Sequence, residues 1–460
     1  MNILFASSEI FPHAKSGGLA DVADSLPTSL AEFENITKIM PLYGFMKKDD
    51  LNLEFSDEII LGGIYYKLSF YKKVEDNIAT YFVNAPLLSD TQDLYGDRYG
   101  DYANNDLRFG IFCKAIVLLA QKLNIDLLHL NDWHTALSAL YIKEEKLKIK
   151  TVFTIHNLAY QGIFEQSSLE KLSINQKYFN IDGLEFYGNI NFLKAGVAYS
   201  DAVTTVSPTY AKEILTKEFG CGLDGFLKYH KNKLSGILNG INTTIFNPKN
   251  DENLYFKYDF KRLENKLENK KAFLKKSTLK NSKIPLFVMI TRLVEQKGID
   301  LVIKSLKKLL AKKVNFLILG EGNLEITKKL KKMAKEYRNF EFIDTYDEVL
   351  SHKTYAAADF LLMPSKFEPC GLNQMIAMRY GTLPIVHKVG GLKDSVADGV
   401  NGLVFKKETK KDLLLAIDKA LKLKKNSKKF NKIRKSNMQK DLSFTKSALK
   451  YIEIYKKILL

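Results

Sequence analysis

The chain has 460 residues, 46% of them hydrophobic and 27% charged, with a net charge of +18 and three cysteines. That length suggests two or more domains, each with its own core, while the apolar runs fall short of the ~18 residues of a membrane span, so no membrane partner is expected. Cys113, Cys221 and Cys370 lie far apart, a spacing that argues against both a disulfide framework and a zinc motif.

The charge is uneven: residues 1–250 sum to −5 and residues 251–460 to +23. A basic half raises nucleic acid as a partner, but only seven of the 70 basic residues are Arg, and phosphate and base recognition favours the guanidinium fork. Runs such as KKLLAKK and LKLKKNSKKFNKIRKS read as solvated helix faces. No nucleic acid is expected, although a basic half steers anionic small molecules.

The opening NILFAS (2–7) reads as a first strand. It lacks the basic n-region of a signal peptide, and the expected compartment is the cytoplasm. The loop SEIFPHAKSGG then delivers Gly17 and Gly18 to a helix beginning near Leu19, with Lys15 beside them. A helix N-terminus approached through glycine and flanked by a lysine is a natural anion site; a tight turn with a solvent lysine is the plainer alternative. FGIFCKAIVLLA is an apolar helix in which Cys113 fills core.

LLHL (127–130) is a strand ended by Asp132, Trp133 and His134, and TVFTIHN ends on His156 and Asn157, with Gln161 and Gly162 in the same loop. Catalytic groups concentrate on such loops; the expectation is a functional His156 and a structural His134. AVTTV and PTYAKEIL continue the alternation of strand and helix. The stretch 247–284 is polar, lysine-rich and without strand character, and is expected to link a first domain, 1–246, to a second, 285–439.

In the second half Arg292 follows the strand PLFVMI, and Lys297 precedes Gly298 at a helix start. Two cations at one strand end suit a diphosphate. VNFLILG, FEFI and DFLLMP follow as strands, with Tyr355 just ahead of the last, placed either to stack on a base or to pack in the core. Glu368 stands between DFLLMP and a helix, either to bind sugar hydroxyls or as an ordinary acid of a helix first turn. Gly390 and Gly391 open a helix after LPIV and offer amides to an anion. No DxD pair and no His or Cys cluster of ligand spacing occurs, so no metal is expected. The alternation predicts an α/β fold with two doubly wound Rossmann-like domains facing a cleft, ligands binding beyond the carboxyl ends of the strands.

KSGGLADV, NDWHTAL, IHNLAYQG, FGCGLDG, GILNGI, TRLVEQKG, FEPCGLNQMIAMRYGTLPIV and VGGLKDSV occur in the order found in bacterial glycogen synthases and plant starch synthases. This resemblance runs from residue 2 to about 405. It implies a GT-B glycosyltransferase that retains configuration, moving glucose from ADP-glucose to the nonreducing-end 4-hydroxyl of glycogen or another α-1,4-glucan, with no metal or other cofactor. It further implies that Lys15, Gly17 and Gly18 lie near the phosphates and sugar of the donor, with Asp21 in the same site. His156 would contact the glucosyl group, and Arg292 and Lys297 would bind the diphosphate, helped by the amides of Gly390 and Gly391. Glu368 would sit beside the transferring glucose, Cys370 and Gly371 in the adjoining substrate-binding segment, and Asn239 of GILNGI in the active site. Residues 440–460 would cross back onto the first domain.

Three positions depart from the family pattern: Val389 for Thr, Asn242 for Asp after NGI, and Asn104 for Asp ahead of Arg108. Ile376 occupies the eighth place after Glu368, where many related hexosyltransferases carry a second Glu. That sides with glucan synthases over an enzyme using a UDP- or GDP-sugar. Against a lapsed glucan-binding protein stands the presence of Lys15, His156, Arg292, Lys297 and Glu368 together.

Overall fold

Short apolar strands alternating with longer helices build two parallel sheets, in a computed structural model that describes residues 1–97, 99–345 and 347–460. The chain divides into one unit of Met1–Asn239 with Phe444–Leu460 and a second of Gly240–Ser443.

The first unit holds a nine-stranded sheet in the order Leu234–Gly236, Ala202–Thr205, Lys150–Ile155, Leu127–Asn131, Asn2–Ala6, Asn35–Pro41, Ile78–Asn84, Ile64–Glu75, Asn52–Leu61. All pairs are parallel up to Ile78–Asn84; the last two strands form an antiparallel hairpin at the edge. Side chains alternate across the pleat, so Ile3 and Phe5 enter one apolar cluster while Leu4 and Ala6 enter the other. Burial on both faces is why these strands are continuous apolar runs and not alternating ones.

The second unit has a six-stranded sheet, wholly parallel, in the order Phe340–Ile343, Asn315–Leu319, Leu286–Ile290, Phe360–Met363, Leu383–His387, Leu403–Phe405. Both sheets start in the middle, run to one edge, and return to build the other. The order therefore reverses beside the first strand of each, which is where sheets of this kind bind their ligands, beyond the strand ends. In the first unit that point lies between Asn2–Ala6 and Leu127–Asn131, and in the second between Leu286–Ile290 and Phe360–Met363.

The stretch expected to be a linker is instead part of the second unit. It carries the helix Glu264–Lys276, whose buried Lys266 donates to Tyr355 O, Ala356 O and Thr382 Oγ1 at 2.8–2.9 Å. Lys270 is buried against Asp359 at 2.6 Å. Two of the lysines that made the segment look like a tether, Lys266 and Lys270, are core residues: their stems are apolar, and their ammonium groups are satisfied by buried oxygens, while Lys271, Lys275 and Lys276 of the same helix face solvent. Upstream, Asp251 accepts from Tyr380 at 2.6 Å and lies 2.7 Å from His352 Nδ1, again within this unit.

The chain rejoins the first unit at Phe444. Helix Thr445–Leu459 buries Ala448, Tyr451, Ile452 and Tyr455 in the cluster that contains Ile3 and Phe5. Tyr455 Oη is 2.6 Å from His129 Nδ1, and His129 Nε2 is 2.7 Å from Thr154 Oγ1. Tyr355 is buried in helix Glu348–Ala357, its ring 5.9 Å from that of Tyr380, so of its two expected places the core is the one it takes. Cys113 is likewise fully buried. Among the described residues no helix is long and apolar enough to cross a membrane.

Candidate active site

In each unit the selected residues lie beyond the carboxyl ends of the strands: Lys15, Arg292 and Glu368 on loops that flank the strand reversal, and His156, Asn239 and the Gly390–Gly391 pair after Lys150–Ile155, Leu234–Gly236 and Leu383–His387, farther along the sheets. In the first unit the loop after Asn2–Ala6 runs through Lys15 to helix Gly18–Leu30, for which Gly17 is the N-cap. Lys15 Nζ donates to Asp21 Oδ1 at 2.8 Å. A Cβ built on Gly17 meets nothing within 4 Å, so the packing of the protein does not require glycine there.

Across the reversal, Leu127–Asn131 ends at Asp132, the N-cap of helix Trp133–Glu144, whose φ of +56° lies in the left-handed region. Its Oδ1 accepts from His156 N at 2.7 Å. Burial pushes the Asp132 carboxyl up to about 7, against the pull of the His156 and Asn157 amides. Asn131 Nδ2 donates to Ala6 O at 2.9 Å, which aims its Oδ1 at His156 Nε2, 2.8 Å away. His156 therefore carries its proton on Nε2 and leaves Nδ1 as an acceptor. Burial lowers its pKa to about 3, and the ring is neutral over the ordinary range. His134 is packed among Tyr95, Phe109 and Trp133, in keeping with a structural residue. Asn239, the last residue of this stretch of the unit, is buried with its Oδ1 unpartnered.

In the second unit the loop after Leu286–Ile290 carries Arg292, which is exposed, and a single 3-10 turn, Glu295–Lys297. Gly298 follows with φ +66°, and a Cβ there would stand 2.1 Å from Pro364 O. Glycine is required at 298 because two loops meet backbone to backbone. That approach brings Lys297 Nζ to 2.9 Å from Glu368 Oε1 and 2.8 Å from Oε2, with Ser365 Oγ donating to Oε2 at 2.9 Å. Two residues 71 positions apart, singled out for separate roles, form one ion pair of a buried carboxylate and a half-buried ammonium.

The paired glycines need a correction. Gly390 and Gly391 do open a helix, Gly390–Ser395, but it is only six residues long. The Gly391 amide is already spent on Glu368 O and Pro369 O, at 3.0 and 3.2 Å, and is not offered to an anion. A Cβ on Gly391 would lie 2.3 Å from Cys370 O, so this glycine exists for a close backbone crossing. Cys370 is buried, and Gly371 has φ +71°. Gln374 Nε2 donates to both of their carbonyls, and the segment after Glu368 is thereby locked.

Of the departures, Asn242 accepts from the amides of Thr244 and Ile245 at 3.0 Å, an Asx turn for which amide and carboxylate oxygens serve alike. Val389 is the N-cap of Gly390–Ser395 and Asn104 that of Asn105–Lys122, neither with a side-chain capping bond. Sequence reasoning passed over Asp132 as a partner of His156 and passed over Glu9 altogether. The only signal was their place in the loops after the two strands that flank the reversal. Among the described residues no group of three or more His, Cys, Asp or Glu side chains is arranged to hold a metal ion.

The chain matches two family models, the starch synthase catalytic domain over residues 2–229 and the group 1 glycosyl transferases over residues 270–437. The catalytic domain of starch synthase IV from Arabidopsis thaliana, solved with ADP and acarbose, superposes with a TM-score of 0.92 at 32% identity, covering 100% of this chain and 99% of that one. Sucrose-phosphate synthase from Thermosynechococcus elongatus, at 17% identity and a TM-score of 0.67, shares the fold over 99% of this chain and 98% of its own. Two Rossmann-like units with these matches define a glycosyltransferase of the GT-B class. Glycogen synthase of Aquifex aeolicus is 41% identical over 100% of this chain and 99% of its own length, and that of Thermodesulfovibrio yellowstonii 38% identical over 99% and 97%. The chain belongs to the family of bacterial glycogen synthases and plant starch synthases.

Proposed function

We propose that this protein extends an α-1,4-glucan by transferring glucose from ADP-glucose to the 4-hydroxyl of the nonreducing end, with retention of configuration and release of ADP. The reading rests on full-length similarity to glycogen synthases and on the ADP and acarbose held by the related starch synthase. The observation that carries it is the set Arg292, Lys297 and Glu368 on adjoining loops at the strand reversal of the second unit. The reaction is assigned to the cytoplasm, with the nucleotide sugar as donor and the glucan as acceptor.

In this reading Arg292 and Lys297 meet the diphosphate, and Lys15 with the Gly17 and Gly18 backbone lies against donor phosphate and sugar. Cleavage of the bond from glucose C1 to the diphosphate oxygen leaves its electron pair on ADP, while C1 gains oxocarbenium character. Positioned cations stabilise that leaving group, and no metal is invoked. The 4-hydroxyl oxygen attacks C1 on the face ADP leaves, and its proton passes to the departing phosphate oxygen. Glu368, already held by Lys297, offers negative charge beside the developing cation, and the unprotonated Nδ1 of the neutral His156 accepts from a sugar hydroxyl. Asp21 holds Lys15, Asn239 presents its unpaired Oδ1, and Cys370 and Gly371 shape the segment beyond Glu368.

The test is release of ADP from ADP-glucose, run beside release of UDP from UDP-glucose, with and without glycogen. Glycogen-dependent ADP release with chain extension is expected. Release of UDP alone would move the donor assignment, and no release from either by folded protein would overturn the reading.

A further inference from the structure

Glu9 lies two residues beyond the loop's entry and is almost fully buried, with 3% of its surface exposed. Its carboxylate accepts from the Ser16 amide and also interacts with the Gly17 amide. Those amides belong to the N-cap of helix Gly18–Leu30 and to the residue before it, where the partial positive charge of a helix favours a carboxylate. The backbone of Glu9 is fixed in turn: Ser7 Oγ donates to Glu9 O at 2.8 Å, Tyr43 Oη donates to Ser8 O at 2.7 Å, and Ser8 Oγ lies 2.8 Å from Tyr95 Oη. A rigid wall of the first unit thus grips, through one carboxylate, the two residues that follow Lys15.

We propose that Glu9 is a positioning residue for the transfer reaction, its carboxylate holding the Ser16 and Gly17 amides from inside the fold and so setting where Lys15 and the Gly17 backbone meet the donor. The inference rests on the reading of that loop as part of the donor site. Glu9 touches no reacting atom in this role, and its effect passes through the loop. A shift of about 1 Å in a positioned group is enough to cost up to ~100-fold in rate.

The buried carboxyl also makes the brace pH-sensitive. Desolvation raises Glu9 to about 7, opposed by the Ser16 and Gly17 amides and reinforced by Asp21. The other titratable groups that face it are Tyr43, Tyr95 and Asp132, with Lys15 held on Asp21. Protonation as pH falls through about 7 relieves the desolvation of the buried charge but turns a carboxylate acceptor into a weaker one, so on the acid side the hold on the Ser16 and Gly17 amides slackens while Glu9 itself stays buried.

The experiment compares the full chain with its Glu9→Gln, Glu9→Asp and Lys15→Ala variants. It follows ADP release against ADP-glucose and glycogen concentration from pH 5.5 to 8.5, and hydrogen exchange at the Ser16 and Gly17 amides. Glutamine keeps the reach and one acceptor oxygen; aspartate keeps the charge but is a methylene short. Faster exchange at both amides, a fall of about tenfold in kcat/KM for ADP-glucose with the glycogen KM unchanged, and a shallower acid limb in Glu9→Gln are expected. Asp132, also raised to about 7, accounts for the part of the limb that remains. Unchanged exchange in a folded Glu9→Gln would overturn the brace. A raised glycogen KM with unaltered donor kinetics would make Glu9 an acceptor contact and overturn it too. Faster exchange with normal donor kinetics, while Lys15→Ala impairs them, would leave only a structural role. Normal donor kinetics in Lys15→Ala would instead remove the donor reading of the loop, and the proposal with it.

Discussion

Replacing Lys297 by methionine removes the cation that, among the described residues, pairs with a carboxylate that is 6% exposed, while Lys297 itself is 20% exposed. Glu368 then keeps one hydrogen bond, from Ser365, in place of three. Breaking a buried ion pair from one side costs about 3–5 kcal/mol, because the remaining charge is desolvated and unpaired. Water reaching the vacated lysine position trims this to ~2–3 kcal/mol. Glu368→Gln leaves a lysine that can turn to solvent, at a cost of ~1 kcal/mol. The double variant carries no stranded charge and should lose less than the sum of the singles, by ~1 kcal/mol or more. Native-state hydrogen exchange read at Leu286–Ile290 and Leu383–His387, strands of the second sheet, reports the stability of that unit alone. Both single variants should also depress ADP release, since each removes a proposed site charge. Protection of those strands within ~0.5 kcal/mol of the parent in Lys297→Met, or strict additivity in the double variant, would refute an energetic coupling between the two residues.

Gly17 and Gly391 should part company under alanine substitution. Gly391→Ala drives a Cβ into Cys370 O, Cα and C at 2.3–2.7 Å, and a loss of ~2–3 kcal/mol with collapse of ADP release is expected. Gly17→Ala meets open space and should change thermal stability by at most ~1 kcal/mol, so a fall in donor kcat/KM there would show a glycine kept for the ligand. Tyr455→Phe strands the buried His129 Nδ1 and should cost ~1–3 kcal/mol. Trp133, the single tryptophan, is buried in the first unit, and its fluorescence during urea unfolding follows that loss; an unchanged midpoint would deny the return helix this anchor.

Much of this molecule was legible along the chain. NILFAS, LLHL, TVFTI, PLFVMI and DFLLMP are strands because burial on both faces demands unbroken apolar runs. The positions of Lys15, His156, Arg292 and Glu368 at strand ends followed from the same pattern, and the ordered motifs placed the chain in its family. The edge hairpin Asn52–Glu75 was not seen: its alternation of exposed and buried residues is interrupted by a register shift between Leu53 and Phe55.

What a polar atom is bonded to was decided only by the tertiary structure. Lys266 and Lys270 look as solvated in sequence as their neighbours Lys271, Lys275 and Lys276, and become core residues only once Tyr355, Ala356, Asp359 and Thr382 surround them. Lys297 meets Glu368, and the Gly391 amide is consumed by Glu368 and Pro369, because distant loops converge beside one strand reversal. Glu9 becomes a brace only when the chain folds back to bring Ser16 over it. Periodicity records which face of an element leaves water, a property each residue carries with its neighbours in sequence. The pairing of donors and acceptors depends on how the chain folds back on itself, over seven residues for Glu9 and Ser16 and over 71 for Lys297 and Glu368, and no local pattern encodes that closure.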